Sequence, residues 1–539
     1  MSKKVLFIIP PYFDVKDLIK SQITSALPTF TIPYGILSMI SYIEQHATRQ
    51  VSFSVLDLNL EVYKKTLADP ETDIDAFMYG RIDQLLEKET FDIVGISALF
   101  NNAWGYLEQM SQIIKKKPNA PLCIVGGGLA SNLYEEILAA FTHIDAACLG
   151  EGEIPLLDLI DSVDMRSLLD THVSWITQKK LRSSEQLGHT YVSNLDDIPP
   201  LSYSHIDLPY YNGRSLDKRY NTKEAKREFS IHTSRGCPYS CVYCSNTALH
   251  GKKVRYMSIN RVMEEIDLMI EKEGMNVLLI EDDHFLADTE RAALVLYEIG
   301  KRNIRVEFPN GIAVRGMNEE VGRALKAAGV SAVNLAVESG SNYVLKKLIK
   351  KPHLDRHIKP AVDILKKNAI LVHAFIVIGL PGEMDEHRQE TLNMIKDVGF
   401  DWVYFFIAVP IAGSRLYDIC KDNGYLVDED FSNHIVSKGT IKAPGVDPVE
   451  IEKTMYLMNL QVNFIESHNV QIGAYSKAKP YFEQVVNKYP DHALAHYMLA
   501  KTLVDKADDE TKHLHKKQFE EIVANNAQWH QFAEHFKLI

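Results

Sequence analysis

Short apolar runs of strand length alternate with helical patterns from Val5 to Val409, and this alternation limits the chain to parallel α/β architectures. In the first third the runs lie at 5–9, 51–56, 93–97, 122–125 and 146–149. Helical stretches at 34–46, 72–89, 104–116, 133–140 and 154–162 stand between them. The runs are apolar on both faces, so the sheet they form is covered on both sides. The expected fold is a doubly wound, Rossmann-like domain with flavodoxin-type strand order. Its ligand would lie beyond the carboxyl ends of the strands where the order reverses, against the loops 10–14, 97–101, 126–128 and 150–153. A second series at 229–233, 277–280, 304–308, 332–337, 371–378 and 402–409 predicts six strand–helix units, a (β/α)6 partial TIM barrel with its chemistry at the strands' carboxyl ends.

The ends of these series mark out domains. The expected division is a Rossmann-like domain over 1–165, a linker or lid over 166–228, the barrel over 229–445 and a small all-α domain over 446–539. In the last, Ala478, Phe482, Val485, Pro490, Leu499 and Ala500 sit at tetratricopeptide-like offsets. Only about one and a half repeats can be read, too few for an independent solenoid, so the tail is expected to pack on the barrel or cap its site. His492, His496, His513 and His515 in the tail read as solvated rather than as ligands. The basic residues of 214–227 are diluted by Asp217, Glu224 and Glu228 and read as a solvated face.

Charge and hydropathy exclude some functions. A net charge of −12 argues against a general nucleic-acid binder, and no apolar run is long enough for a membrane span. Met1-Ser2-Lys3-Lys4 leads directly into the first strand-like run, with no room for a signal peptide. The expected location is cytoplasmic.

The chemistry is carried by Cys237, Cys241 and Cys244, spaced C-x3-C-x2-C just after the first barrel run. Three thiolates at this spacing converge on a soft metal centre, and a four-iron cluster held by three cysteines keeps one iron open for a ligand. Zinc would need a fourth ligand, for which His232 and His250 are candidates, but no second paired unit is present. A disulfide reading fits poorly with six cysteines and a reducing location. Cys123, Cys148 and Cys420 read as buried structural thiols.

The triplet, with Tyr243 before its last cysteine, resembles the cluster loop of the radical S-adenosylmethionine (SAM) enzymes. In that superfamily SAM chelates the open iron and is cleaved to a 5′-deoxyadenosyl radical. The resemblance extends to turns at the carboxyl ends of later strands. It implies SAM contacts for Tyr243, Glu281 and Asp282 of Glu281-Asp282-Asp283, Asn310, Arg315, Glu338 and Ser339 of Glu338-Ser339-Gly340-Ser341, and Gly379 of Gly379-Leu380-Pro381-Gly382-Glu383. Ser414 and Arg415 occupy the matching turn after the sixth strand. By their residue types alone, Glu281 and Asp282 could be helix-capping acids and Arg315 a surface ion-pair partner.

The first domain is similar to the cobalamin-binding domain that precedes many radical SAM cores. That similarity implies corrinoid contacts for Ser97, for Gly126, Gly127 and Gly128, and for Gly150, Glu151, Gly152 and Glu153. A tight strand-to-helix turn explains the glycine triplet equally well. The D-x-H-x-x-G motif is absent after the first strand, so cobalamin would bind without a protein histidine beneath the cobalt. A doubly wound domain that has lost its corrin is the alternative.

The implied activity is methylation of an unactivated carbon of a small molecule or peptide, using a 4Fe–4S cluster, SAM and cobalamin. Electrons would come from a donor such as flavodoxin or ferredoxin. Cyclisation or rearrangement without methyl transfer is the alternative, and a non-catalytic corrinoid-binding adaptor is a third. A methylthiotransferase would need a second cysteine-held cluster, which Cys123 and Cys148 cannot supply. Tyr12, Asp14 and His284 fall near the expected cleft without assignable roles.

Overall fold

The first five runs form the sheet that the alternation predicts. In the computed structural model, which describes residues 2–12, 30–183, 187–211, 227–428, 438–505 and 508–539, β1 (Lys3–Ile9), β2 (Val51–Asp57), β3 (Ile93–Ser97), β4 (Leu122–Gly126) and β5 (Ala146–Cys148) are all parallel. A sixth strand, β6 (Trp175–Ile176), joins the edge antiparallel, giving the order β2-β1-β3-β4-β5-β6. Successive side chains of a strand point to opposite faces. Leu6 and Ile8 accordingly pack with Val94, Ile96 and Val125 in one core, while Val5 and Phe7 pack with Ile93 and Ile124 in the other. The order reverses between β1 and β3, which makes their carboxyl ends the ligand-binding crevice of a doubly wound sheet.

The chain divides into two compact units. One holds the six-stranded sheet together with residues 227–310 and 410–428. Within it, β7 (Glu228–Ile231), β10 (Val277–Ile280) and β11 (Arg305–Glu307) form a parallel sheet in the order β11-β10-β7. Two short strands, β8 (Ser234–Arg235) and β9 (Arg255–Tyr256), pair antiparallel and enclose the cysteine loop.

The expected linker is more structured than its composition suggests. Within its described part a helix, Met165–Thr171, leads into β6, and later residues tie back to the sheet. Ser202 N–H donates to Ser41 Oγ at 3.0 Å, and the Tyr211 hydroxyl donates to Asp57 at 2.6 Å. The basic residues Arg214, Lys218, Arg219, Lys223 and Lys226 lie outside the described residues, as does Asp14.

The second unit contains residues 311–409 and 438–539 among those described. Its parallel sheet has the order β12-β13-β14-β15, formed by Ile312–Ala313, Ala332–Glu338, Leu371–Ile378 and Trp402–Ile407. Asn463 covers the open edge of β15: its side chain accepts from Val403 N–H at 2.9 Å and donates to Val403 C=O at 2.7 Å. An uncovered edge would invite pairing with another chain. The carboxyl-terminal helices share a core of Leu460, Phe464, Phe482, Met498, Phe519 and Trp529. Tyr481 reaches from this layer to His373 of β14 at 2.7 Å and stacks on Trp402. Two tail histidines are not solvated. His492 caps the helix Ala493–Thr502, and His496 is buried with its ring nitrogens facing His515 and Pro490 C=O. Among the described residues no helix is long and apolar enough to cross a membrane.

Candidate active site

A cavity of about 510 Å³ opens at the reversal point of the six-stranded sheet. Its floor is the carboxyl ends of β1, β3 and β4, including Ile9, Pro10, Ser97, Gly126 and Gly127. The loop 150–153 forms a further wall, and Tyr12 and Tyr34 also line it. Gly127 has φ +105°, and a Cβ there would stand 2.8 Å from Ala98 C=O. The close approach is therefore made by the neighbouring loop, which is the tight-turn reading of the triplet. Gly128 starts the helix Gly128–Asn132 and is not part of the cavity wall.

The same cavity reaches the cysteine loop, because His232, Arg235, Asn246, Leu249 and His250 line it too. That loop leaves β8 at Gly236, whose φ is +99° and whose Cβ would meet Lys253 C=O. Cys237 N–H donates to Gly251 C=O at 3.2 Å, and Cys244 N–H to Cys241 C=O at 3.1 Å. Asp283 braces both arms by accepting from Gly236 N–H and Asn246 Nδ2, each at 3.0 Å. The three cysteines are half-buried, and none of the six in the chain is in a disulfide. Cys123 and Cys148 are buried in β4 and β5, where desolvation pushes each thiol up to about 12. They are held as thiols and do not resemble metal-ligating thiolates.

Asp282 is turned away from the cavity. Its carboxylate accepts from Thr233 N–H at 2.6 Å, Thr233 Oγ1 at 2.7 Å and Ser234 Oγ at 2.6 Å. Burial raises it to about 6 against the pull of these bonds. It anchors the strand that enters the cysteine loop, with three of its four acceptor sites already taken by that strand. Glu281 does line the cavity, with its carboxylate accepting from Ser230 Oγ and its carbonyl accepting from Asn310 Nδ2 at 3.2 Å. His232 stands 3.8 Å from Glu281, packed on Tyr34, and desolvation lowers it to about 3, so it is neutral at physiological pH. Tyr243 lies in the loop outside the cavity wall. His284 is buried against Tyr239.

The carboxylates of Glu151 and Glu153 are not offered to a ligand either. Glu151 pairs with Arg255 at 2.5 and 2.9 Å, Arg235 at 3.3 Å and His250 at 2.9 Å; Glu153 pairs with Arg235 at 2.9 Å and accepts from Ser38 Oγ at 2.6 Å. Burial alone would raise Glu151, but Arg255, His250 and Arg235 hold it at about 2. Residues 150–153 line the cavity with both carboxylates already paired.

The remaining expected SAM contacts lie in the second unit. Glu338 ends β13 with φ +69°, is buried, and pairs with Lys351 at 3.0 Å. A non-glycine residue in this backbone region is strained, a feature that concentrates at functional sites. Ser339 Oγ bonds Thr391 Oγ1 at 3.1 Å and accepts from Ser341 N–H at 3.1 Å, so its hydroxyl shapes the turn. Gly379 N–H donates to the buried Glu383 carboxylate at 2.5 Å. Arg315 is exposed, with one bond to Pro352 C=O at 3.4 Å and no described acidic partner. In the first unit, Ser414 caps the helix Arg415–Asp422 and Arg415 is exposed.

Nothing in the sequence pointed to Arg235 or Arg255, His232 was weighed only as a zinc ligand, and Asp283 was noted only as part of the Glu281-Asp282-Asp283 turn. The signal for Arg235 would have been a basic residue directly before a cysteine loop in a chain rich in acids, but these contacts are long-range: Arg255 meets Glu151 across 104 positions and Asp283 meets Gly236 across 47. Residues 231–395 match the model of the radical SAM superfamily and residues 40–160 that of the B12 binding domain. The chain is a radical SAM protein with a B12-binding domain ahead of its core. The cytidylyl-2-hydroxyethylphosphonate methyltransferase of Streptomyces wedmorensis is 26% identical over 471 residues, 81% of this chain and 87% of that one. The fold matches the radical S-adenosylmethionine methyltransferase TsrM of Kitasatospora setae, solved with cobalamin and a 4Fe–4S cluster bound, at TM-score 0.59 and 16% identity over 94% and 92% of the two chains. It also matches the cobalamin-dependent radical enzyme OxsB, solved with aqua-cobalamin and SAM, at TM-score 0.66 and 13% identity over 99% and 79%.

The residues of this radical SAM protein suit a cluster. Cys237, Cys241 and Cys244 are half-buried, share one loop and are in no disulfide, and a cubane takes one cysteine on each of three irons.

Proposed function

We propose that this radical SAM enzyme methylates an unactivated carbon of a small molecule or peptide. The reading rests on one observation: the crevice of the B12-binding sheet and residues flanking the cysteines, Arg235, Asn246, Leu249 and His250, line a single cavity. When bound, the cluster and SAM supply a hydrogen-abstracting 5′-deoxyadenosyl radical, and cobalamin supplies the methyl group. Cys237, Cys241 and Cys244 would hold the cluster. Ser97, Gly126, Gly127 and residues 150–153 would line the corrin. Glu281 and Asn310 face the cavity with polar groups suited to SAM or substrate, and Glu338, Ser339, Gly379 and Arg315 are assigned to SAM on their resemblance alone. Apolar walls from Phe7, Ile9, Leu99, Ile124 and Leu156 would keep water from a reactive radical.

The electron comes, on this reading, from an acidic donor of the flavodoxin or ferredoxin kind. Although the chain carries 71 acidic residues, none falls between Phe229 and Met263. Lys252 and Lys253 in this stretch are exposed and make no ion pair among the described residues, and the turn carrying them bonds to Cys237. Opposite charges there would steer such a donor to the cluster. A reducing cytoplasm suits cysteines that form no disulfide.

The test is an anaerobic reaction with trideuteromethyl-SAM, reductant and cobalamin, offered candidate substrates including cytidylylated phosphonates. The reading expects S-adenosylhomocysteine, 5′-deoxyadenosine and a product heavier by the labelled methyl group. Steady 5′-deoxyadenosine with neither S-adenosylhomocysteine nor a methylated product would replace it with cyclisation or rearrangement.

A further inference from the structure

The carboxylates of Glu151 and Glu153 hold the cysteine loop, and the loop that carries them is also a wall of the corrin crevice. In the β8–β9 pair Arg235 lies directly opposite Arg255, and both are buried. Like charges facing across a ladder repel, and buried cations must be compensated. The compensation comes from Glu151, which bonds both guanidiniums, and from Glu153, which bonds Arg235. Ser38 completes the set by accepting from Arg235 Nη2 at 2.9 Å while donating to Glu153. Two carboxylates thus balance two guanidiniums.

The geometry of this set reaches both ends of the cysteine loop. Arg235 is followed directly by Gly236 and Cys237. At the far end, His250 and Arg255 both bond Glu151, and Gly251 C=O accepts from Cys237 N–H. On the other side Glu151 and Glu153 belong to the turn after β5, whose residues 150–153 line the cavity. One turn therefore both walls the crevice and carries the carboxylates that anchor the two ends of the cysteine loop.

We infer that Glu151 and Glu153 are positioning residues for the cluster, and that through them occupancy of the corrin crevice is felt at the cysteine loop. The inference rests on the proposed cofactor sites. Its test uses full-length protein, reconstituted anaerobically, with two readouts: the electron paramagnetic resonance signal of the dithionite-reduced cluster and the rate of iron release to a chelator, each with and without hydroxocobalamin. In the wild type, cobalamin is expected to slow iron release and change the signal. Glu151→Gln and Glu153→Gln should release iron about tenfold faster, the scale seen when outer partners of metal ligands are lost, and should lose most of the cobalamin response. Glu153→Asp, which keeps the charge, should recover part of it. Should the glutamine variants not fold, as judged by circular dichroism of the cluster-free protein, Ser38→Ala probes the same set more gently and should shift release in the same direction.

Wild-type signals and release rates in the variants that fold would overturn the inference, as would a wild-type cluster indifferent to bound cobalamin. If the wild type takes up neither cluster nor cobalamin, it is the proposed function that falls. If it takes up both and the variants match it, only the coupling falls.

Discussion

Replacing Glu151 by Gln leaves the shape of the turn after β5 but removes the charge that Arg235, Arg255 and His250 share. The cost can be worked in two ways. Glu151 sits at about 2, below its ordinary 4.5, so the folded state favours its ionised form by about 3 kcal/mol at neutral pH. Its side chain is only 2% exposed, so solvent screening discounts this little. Independently, removing one partner of a buried ion pair costs about 3–5 kcal/mol because the other charge is stranded. The two agree on about 3 kcal/mol or slightly more.

The sign follows from the direction of the shift. A depressed carboxylate stabilises the fold fully above its unfolded value near 4.5, and that contribution is lost as pH falls through about 2. At pH 7.5 the whole penalty should appear. Because a two-unit chain need not unfold in one step, the assay is hydrogen exchange of peptides covering 234–256 in cluster-free protein. Exchange there should quicken about a hundredfold, by the factor of ten per 1.36 kcal/mol. Glu151→Gln combined with Arg255→Met should cost less than the two changes summed. A single-variant effect under about 1 kcal/mol, or strict additivity, would refute the account of this network.

Gly127→Ala places a Cβ 2.8 Å from Ala98 C=O at a backbone angle side chains avoid, so it should cost about 1–3 kcal/mol and weaken hydroxocobalamin binding in an absorbance titration. In the second unit, burial lowers His353, His373 and His492 to about 4 each. The unfolded chain protonates them first, so stability is lost as pH falls below about 6.5, each contributing about 1 kcal/mol between pH 6.5 and 5.5. Urea unfolding followed through Trp402 and Trp529 checks this, and an unchanged midpoint over that interval would contradict it. Lys252→Glu combined with Lys253→Glu should slow cluster reduction by flavodoxin at least about tenfold at low salt while leaving reduction by dithionite unchanged. Equal slowing with both reductants would argue against a docking role.

Much of the fold was legible because strands buried on both faces leave long apolar runs. All five runs of the first sheet and all six of the second series became strands at nearly the expected bounds. The two-residue strands β6, β8, β9 and β12 were missed, because so few residues carry no periodicity. The cysteine loop was legible as local spacing. The partners of Glu151, Glu153 and Asp282 were not, since what occupies their oxygens comes from residues 48 to 115 positions away. Spacing shows where a carboxylate falls on a turn; long-range packing decides whether it faces a ligand or an arginine. The shielding of half-buried His492 and buried His496 was missed for the same reason: only the helices packed around them exclude water.

The account depends most on one cavity serving both the corrin crevice and the cysteine loop. Pulsed electron paramagnetic resonance of anaerobic protein carrying cob(II)alamin and a reduced 4Fe–4S cluster measures that directly, because two spins facing one cavity must couple. Splitting or broadening of the cobalt signal that disappears in Cys241→Ala is the expected result. Two signals that ignore each other, or a cysteine loop that takes zinc in place of iron, would contradict the account.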